Sequence, residues 1–312
     1  MAKIGFIGMG NMGYAMLKGA MNVFSKEDLI FTDVSSERVE NVTKETGVAH
    51  VLTNAELANS AKYIVLAVKP QFYAAVLKNI ENIIKKDHVV ISIAPGISVD
   101  SLKDALGFDA RIVRAMPNTP ALLGEGMTGI CFEQAAFSFE EKDVIGKFFA
   151  SFGKYKVVEE RLMSAVTCVS GSSPAYVYMF IEALADSAVK YGMPRDAAYE
   201  MAAQTVVGAA KMVLETKEHP GKLKDNVCSP AGTTIEAVRV SFCPGIRVHS
   251  AVPFEQTKFA FGVQTLNVIS SNNKSLPQPS AAKFNNFKVT LLAVFELNIT
   301  AIFSHLPSSS GI

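Results

Sequence analysis

Ile4-Gly5-Phe6-Ile7-Gly8-Met9-Gly10-Asn11-Met12-Gly13-Tyr14-Ala15-Met16-Leu17 is the stretch that decides the fold. Its apolar start, with Ile4, Phe6 and Ile7, fits a buried parallel strand. That strand runs straight into Gly8-x-Gly10-x-x-Gly13, after which Met12, Met16, Gly19 and Ala20 recur at helical spacing. Strand, glycine turn and helix in that order suit a dinucleotide. Gly8 permits the tight turn, Gly10 lets a pyrophosphate reach the backbone, and Gly13 lets helix pack close to strand. The motif alone is common, but its context sharpens it. Leu29 to Thr32 reads as a second strand ending in Asp33, 20 residues beyond Gly13, where an acid would meet the cofactor ribose. Gly8, Met9, Gly10, Asn11, Met12, Gly13 and Asp33 are thus the first candidate cofactor-binding residues.

Outward from this turn, Tyr63 to Val68, Val89 to Ile93, Arg111 to Ala115 and Lys154 to Val158 read as further strands separated by helical patterns. The expected fold is α/β, a doubly wound Rossmann-type sheet over residues 1–160. Ligands of such sheets lie outside the carboxyl ends of the strands, so Lys69-Pro70-Gln71 and Ala94-Pro95-Gly96, which follow two of them, face the cofactor. Met116-Pro117-Asn118-Thr119-Pro120 is a rigid segment whose prolines block helix.

Near residue 160 strands give way to long apolar helical patterns, predicting an all-α domain over 161–240. Ser170-Gly171-Ser172-Ser173-Pro174 opens one helix that runs to Gly192, and Ala197 to Thr216 forms a second. Both are apolar on most sides, so this domain is expected to complete its core by dimerisation. His219-Pro220-Gly221 reads as a turn. Thr233-x-x-Glu236 before an apolar run reads as a capping box. The same segment, with the hydroxyls of Ser229 and Thr234 beside open N–H groups, equally reads as a site for a carboxylate.

The 312 residues are 49 % hydrophobic and 19 % charged, with a formal charge of +1. Such a chain buries a large core and offers no field for nucleic acid or an acidic membrane surface. The apolar stretch from Phe287 to Phe303 carries Lys288 and Glu296 and is too short to span a bilayer. Cys131, Cys168, Cys228 and Cys243 have no metal-ligand spacing, and the five histidines form no cluster. Buried thiols and an N-terminus with no leader pattern predict a cytoplasmic, metal-free protein.

Six blocks in order carry a resemblance: Phe6 to Gly13, Ala67-Val-Lys-Pro-Gln71, Met116-Pro-Asn-Thr-Pro120, Ser170-Gly-Ser-Ser-Pro-Ala-Tyr176, His219-Pro-Gly-Lys-Leu-Lys-Asp-Asn226 and Ser229-Pro-Ala-Gly-Thr-Thr-Ile235. Together they resemble the pyrroline-5-carboxylate reductase family over residues 1 to about 240. The resemblance implies reduction of L-1-pyrroline-5-carboxylate to L-proline with NADPH or NADH, by a homodimer or larger homo-oligomer. It adds Asn54, Val68, Lys69, Pro95 and Asn226 to the cofactor contacts. It places Glu160, Thr233 and Thr234 at the substrate, Thr234 being the catalytic candidate for the hydrogen bond to the ring nitrogen. Plainer readings stand beside these: Lys69 also fits a solvated turn, Glu160 an exposed helix start, and Asn54 a helix cap. Asp33 favours NADH, whereas Ser35, Ser36 and Arg38 would welcome the extra phosphate of NADPH.

Two other functions compete. A β-hydroxyacid dehydrogenase needs a lysine one turn into the long helix, and Pro174 to Ser187 holds none. A nucleotide-binding protein without activity would follow if the tail spoiled the dimer. That tail, 241–312, is rich in Ser, Asn, Phe and Pro and lacks the periodicity of a closing helix, so it is expected to be irregular.

Overall fold

The computed structural model describes residues 4–241. Strand and helix alternate through β1 (Ile4–Ile7), α1 (Asn11–Ala20), β2 (Leu29–Thr32), α2 (Ser36–Thr46), β3 (Ala49–His50), α3 (Asn54–Ser60), β4 (Tyr63–Leu66) and α4 (Tyr73–Ile80). They continue through β5 (Val89–Ser92), α5 (Val99–Leu106), β6 (Arg111–Met116), β7 (Gly126–Cys131), α6 (Phe139–Ala150) and β8 (Gly153–Val157). The strands make one sheet in the order β3-β2-β1-β4-β5-β6-β7-β8. The order reverses at β1, and there the binding crevice of a doubly wound sheet opens. Every residue of β1, β2, β4 and β5 is buried, which is why these strands read as unbroken apolar runs. One face packs Met16 and Leu17 of α1 with Phe148, Phe149 and Phe152; the other packs Leu57, Val76, Leu77 and Leu102.

β3 and β7 were not expected from the sequence. β3 is too short to alternate, and β7 mixes Gly126, Thr128 and Gly129 into its run. β7 lies antiparallel to β6, and β8 runs parallel to β7. The register gives this reversal a use. Ile7, Leu66, Ser92 and Arg114 stand level across β1, β4, β5 and β6, marking the carboxyl edge. β7 and β8 start beyond that edge and run back toward it, Ile130 and Val157 coming level with Ala115. The chain therefore leaves the last strand at the edge where ligands bind.

Among the described residues the first compact unit extends past 160 to Pro174. The reason is α7 (Met163–Val166), which lies against β7 so closely that a Cβ on Gly129 would fall 2.5 Å from Val166. A π-helical turn, Thr167–Gly171, leads into α8 (Ser173–Lys190).

The second unit adds α9 (Arg195–Thr216), α10 (Pro220–Val227) and α11 (Thr233–Ser241). Ala185, Ala198 and Ala202 are its buried residues, with Ile181, Leu184, Ala188, Val189 and Met193 around them. Tyr178, Met179, Met201, Val207, Met212 and Leu214 are exposed. The turn expected at His219-Pro220-Gly221 is instead the start of α10. Pro220 takes the first helical position, and Nδ1 of His219 accepts the N–H of Gly221 at 3.1 Å. The tail, set apart as irregular, lies outside the described residues, except that Ser241 ends α11. Among the described residues no helix is long and apolar enough to cross a membrane, and no group of His, Cys, Asp and Glu could hold a metal ion.

Candidate active site

In the first unit α2, α3, α5 and α6 each begin with a hydroxyl. Ser35, Thr53, Ser98 and Ser138 accept the backbone N–H of Arg38, Glu56, Ser101 and Glu141. α1 begins with Gly10 and has no side-chain cap, so its first-turn amides stay open to an anion. The three glycines do different work. Gly8 has φ +99, and a Cβ there would lie 2.8 Å from Val68. A Cβ on Gly13 would fall 2.1 Å from the Gly8 carbonyl oxygen, so only glycine lets helix meet turn. A Cβ on Gly10 would meet nothing within 4 Å: the space above that residue is clear, as a pyrophosphate requires.

Asp33 closes this turn from below. Its Oδ2 accepts the N–H of Met9 at 2.6 Å and its Oδ1 that of Ser35 at 2.9 Å. Nη1 of Arg38 donates to the Met9 carbonyl at 2.7 Å. Acid and guanidinium thus brace the two peptides that flank Met9, and an exposed cation stands beside the start of α2. Gly10, Asn11, Tyr14, Ser35, Arg38 and Leu122 line a cavity of about 430 Å³ there.

The structure brings Gly8, Met9, Gly10, Asn11, Met12, Gly13, Asp33 and Val68 together around the turn. Lys69 and Pro95 are exposed on the loops after β4 and β5, along the same carboxyl edge. Asn54 is half-buried at the first position of α3; since Thr53 supplies the cap, the capping alternative for Asn54 falls away.

Glu160 is not the freely exposed helix start that its plainer reading offered. Its Oε1 accepts both the N–H of Val99, at the start of α5, and Nη1 of Arg114, each at 2.8 Å. Arg114 is a residue that reading the sequence for motifs passed over; the signal was a charge inside the apolar run Ile112-Val113-Arg114-Ala115. Cys131 lies opposite Arg114 on β7. Burial, and then the Glu160 carboxylate, push its thiol up to about 11 against the pull of Arg114, so it stays protonated and is no nucleophile. Buried Asn118 ties the neighbouring segments together: its Oδ1 accepts the N–H of Met127 at 2.9 Å, and its Nδ2 donates to the Ser170 carbonyl at 3.1 Å.

Asn226, Ser229, Thr233 and Thr234 belong to the second unit: Asn226 on α10, Ser229 on the connection and both threonines at the start of α11. Thr233 is the first residue of α11, with Gly232 ahead of it, so Gly232 occupies the cap position expected of Thr233. Thr234 is half-buried. Ala231 has φ +56, a left-handed conformation that costs a non-glycine residue roughly 1 kcal/mol. Strain of this kind gathers at ligand-binding loops.

Over residues 160–248 the chain matches the family described as pyrroline-5-carboxylate reductase dimerisation, and over residues 3–96 that described as NADP oxidoreductase, coenzyme F420-dependent. It is 49 % identical over 248 residues to the pyrroline-5-carboxylate reductase of Escherichia coli (strain K12), an alignment taking in 78 % of this chain and 91 % of that one. The chain belongs to the pyrroline-5-carboxylate reductase family. Pyrroline-5-carboxylate reductase 2 of Bos taurus is 34 % identical over 99 % of this chain and 95 % of its own, so that alignment runs on through the residues beyond 240. A crystal structure of the Plasmodium falciparum pyrroline carboxylate reductase with NADP bound shares 35 % identity and a TM-score of 0.69, covering 76 % of this chain and 88 % of that one.

Proposed function

We propose that this member of the pyrroline-5-carboxylate reductase family reduces L-1-pyrroline-5-carboxylate to L-proline with NADPH or NADH. The carrying observation is the uncapped start of α1 directly after the glycine turn, with clear space above Gly10. Asn11, Met12 and Gly13 would offer amides to the pyrophosphate, with Val68, Lys69, Pro95, Asn54 and Asn226 completing the contacts. When bound, the cofactor supplies the hydride that reduces the C=N carbon, while a proton from water balances the ring nitrogen. The chain's own part is positioning: Thr234 hydrogen-bonds the ring nitrogen, Ser229 and Thr233 hold the substrate carboxylate, and Glu160 meets the ring.

The apolar faces of α8 and α9 and the match to the family's dimerisation region support a homodimer. Cys131 and Cys168, free and buried, and Cys228, also free, suit the reducing cytoplasm. Lys190, at the far end of α8, is its only lysine, which leaves a β-hydroxyacid dehydrogenase without its catalytic group. The deciding assay mixes the purified full chain with pyrroline-5-carboxylate and each reduced cofactor and follows nicotinamide absorbance. Turnover with neither would overturn the proposal, and sedimentation as a monomer would overturn the dimer.

A further inference from the structure

Two carboxylates in the first unit are gripped by arginines of the same strand, and they are gripped differently. Glu141 is almost fully buried, with both oxygens occupied: Oε1 by Lys62 and Arg111, Oε2 by Arg111 and the Ser138 N–H. That is how a structural carboxylate is satisfied. Glu160 receives both its donors, Arg114 and the Val99 N–H, on Oε1 alone, and among the described residues nothing donates to Oε2. Its side chain is 38 % exposed, whereas that of Arg114 is only 13 % exposed. Arg111 and Arg114 each keep Nε buried without a hydrogen-bond partner, so what separates the two pairs is the free, partly exposed Oε2 of Glu160. Both residues stand at the carboxyl edge, beside the loop after β5.

We propose that Arg114 is a positioning residue for substrate binding: it fixes Oε1 of Glu160 so that Oε2 is presented to the pyrroline ring. The proposal rests on the reading that Glu160 meets the substrate. Two fixed donors at one oxygen lock the carboxylate's rotation, so the entropy of ordering it is lost before the substrate arrives. The start of α5 adds the favourable end of its helix dipole to the same oxygen. Lysine could supply the charge but only from a flexible stem and a rotatable ammonium, with less control over where the donor sits.

The test is a double-mutant cycle on the full-length enzyme with Arg114→Met, Arg114→Lys and Glu160→Gln, reading kcat and KM, calorimetric affinity for L-proline, cofactor affinity and thermal midpoint. Arg114→Met is expected to lower kcat/KM for pyrroline-5-carboxylate about a hundredfold. It should also weaken L-proline binding and leave cofactor affinity unchanged. Arg114→Lys should recover part of the loss. In the Glu160→Gln background Arg114→Met should add little, because the residue through which it acts is already disabled. If Glu160→Gln leaves proline affinity and KM unchanged, the reading of Glu160 as a substrate contact fails and the proposal falls with it. If Glu160→Gln weakens both but Arg114→Met lowers only the thermal midpoint, or subtracts as much in either background, the reading survives and the positioning role is overturned.

Discussion

The carboxylate of Asp33 accepts the backbone N–H of Met9 at 2.6 Å, tying the acid at the end of β2 to the glycine turn after β1. An acid at this position is expected to meet the ribose; here it also holds the shape of the turn. Both oxygens are engaged by backbone, while Arg38 stands nearby as a partner for a phosphate.

Asp33→Ser should therefore move the ratio of kcat/KM for NADPH over NADH upward by about tenfold, since a negative charge that repels the 2′-phosphate is gone. Affinity for both cofactors should fall somewhat as the turn loosens. Steady-state kinetics with each cofactor read both effects. An unmoved ratio would reduce Asp33 to a brace for Met9.

Gly10→Ala and Gly13→Ala should part company. Gly10 has φ −63 and an open space where the methyl group would stand, so its substitution should leave the thermal midpoint almost unchanged and cost at least about tenfold in cofactor affinity. Gly13→Ala drives a Cβ into the Gly8 carbonyl and should destabilise the fold by about 2 kcal/mol. Chemical denaturation beside fluorescence titration separates the two.

Thr234→Ala should lower kcat by about a hundredfold with little change in cofactor affinity, the pattern of a hydrogen bond that matters to the reacting ring and not to the dinucleotide. Unchanged kcat/KM would remove the hydroxyl from the mechanism.

Acid should weaken the fold through Glu141. Burial alone would raise its pKa, but hydrogen bonds from Lys62, Arg111 and the Ser138 N–H outweigh burial and hold it down at about 2, against an ordinary value of 4.5. A carboxyl held low stabilises the fold above its ordinary pKa, and that contribution fades as pH falls from about 4.5 toward about 2. Glu141→Gln should flatten this part of the urea-denaturation profile and cost about 3 kcal/mol at neutral pH by leaving buried charge unpaired.

What could be read in the sequence followed from periodicity. Strands buried on both faces announced themselves as apolar runs, and the glycine turn with Asp33 located the crevice. β3 and β7 were hidden because one is too short and the other too rich in glycine to show a period. Arg114 was hidden for a different reason: its role depends on Val99 and Glu160, which are far from it in the chain and adjacent only once β5, β6 and β8 are aligned. At α10, His219-Pro220-Gly221 has the composition of a turn, although a proline at the first helical position also opens a helix.

Gly153 has φ +144, and a Cβ there would lie 2.1 Å from the carbonyl oxygen of Gly126, so these two glycines alone permit β8 to begin where it does. That contact works as the zero mark of a ruler. Measured from it, the chain runs the length of β8 back to the carboxyl edge and delivers Glu160 opposite Arg114, at a height that no residue near the crevice determines. A slip of one residue between β7 and β8 would carry the carboxylate roughly 3.3 Å along the strand and turn alternate side chains to the other face. The reach of the acid is thus set at the far end of the strand, by the close approach of two glycines.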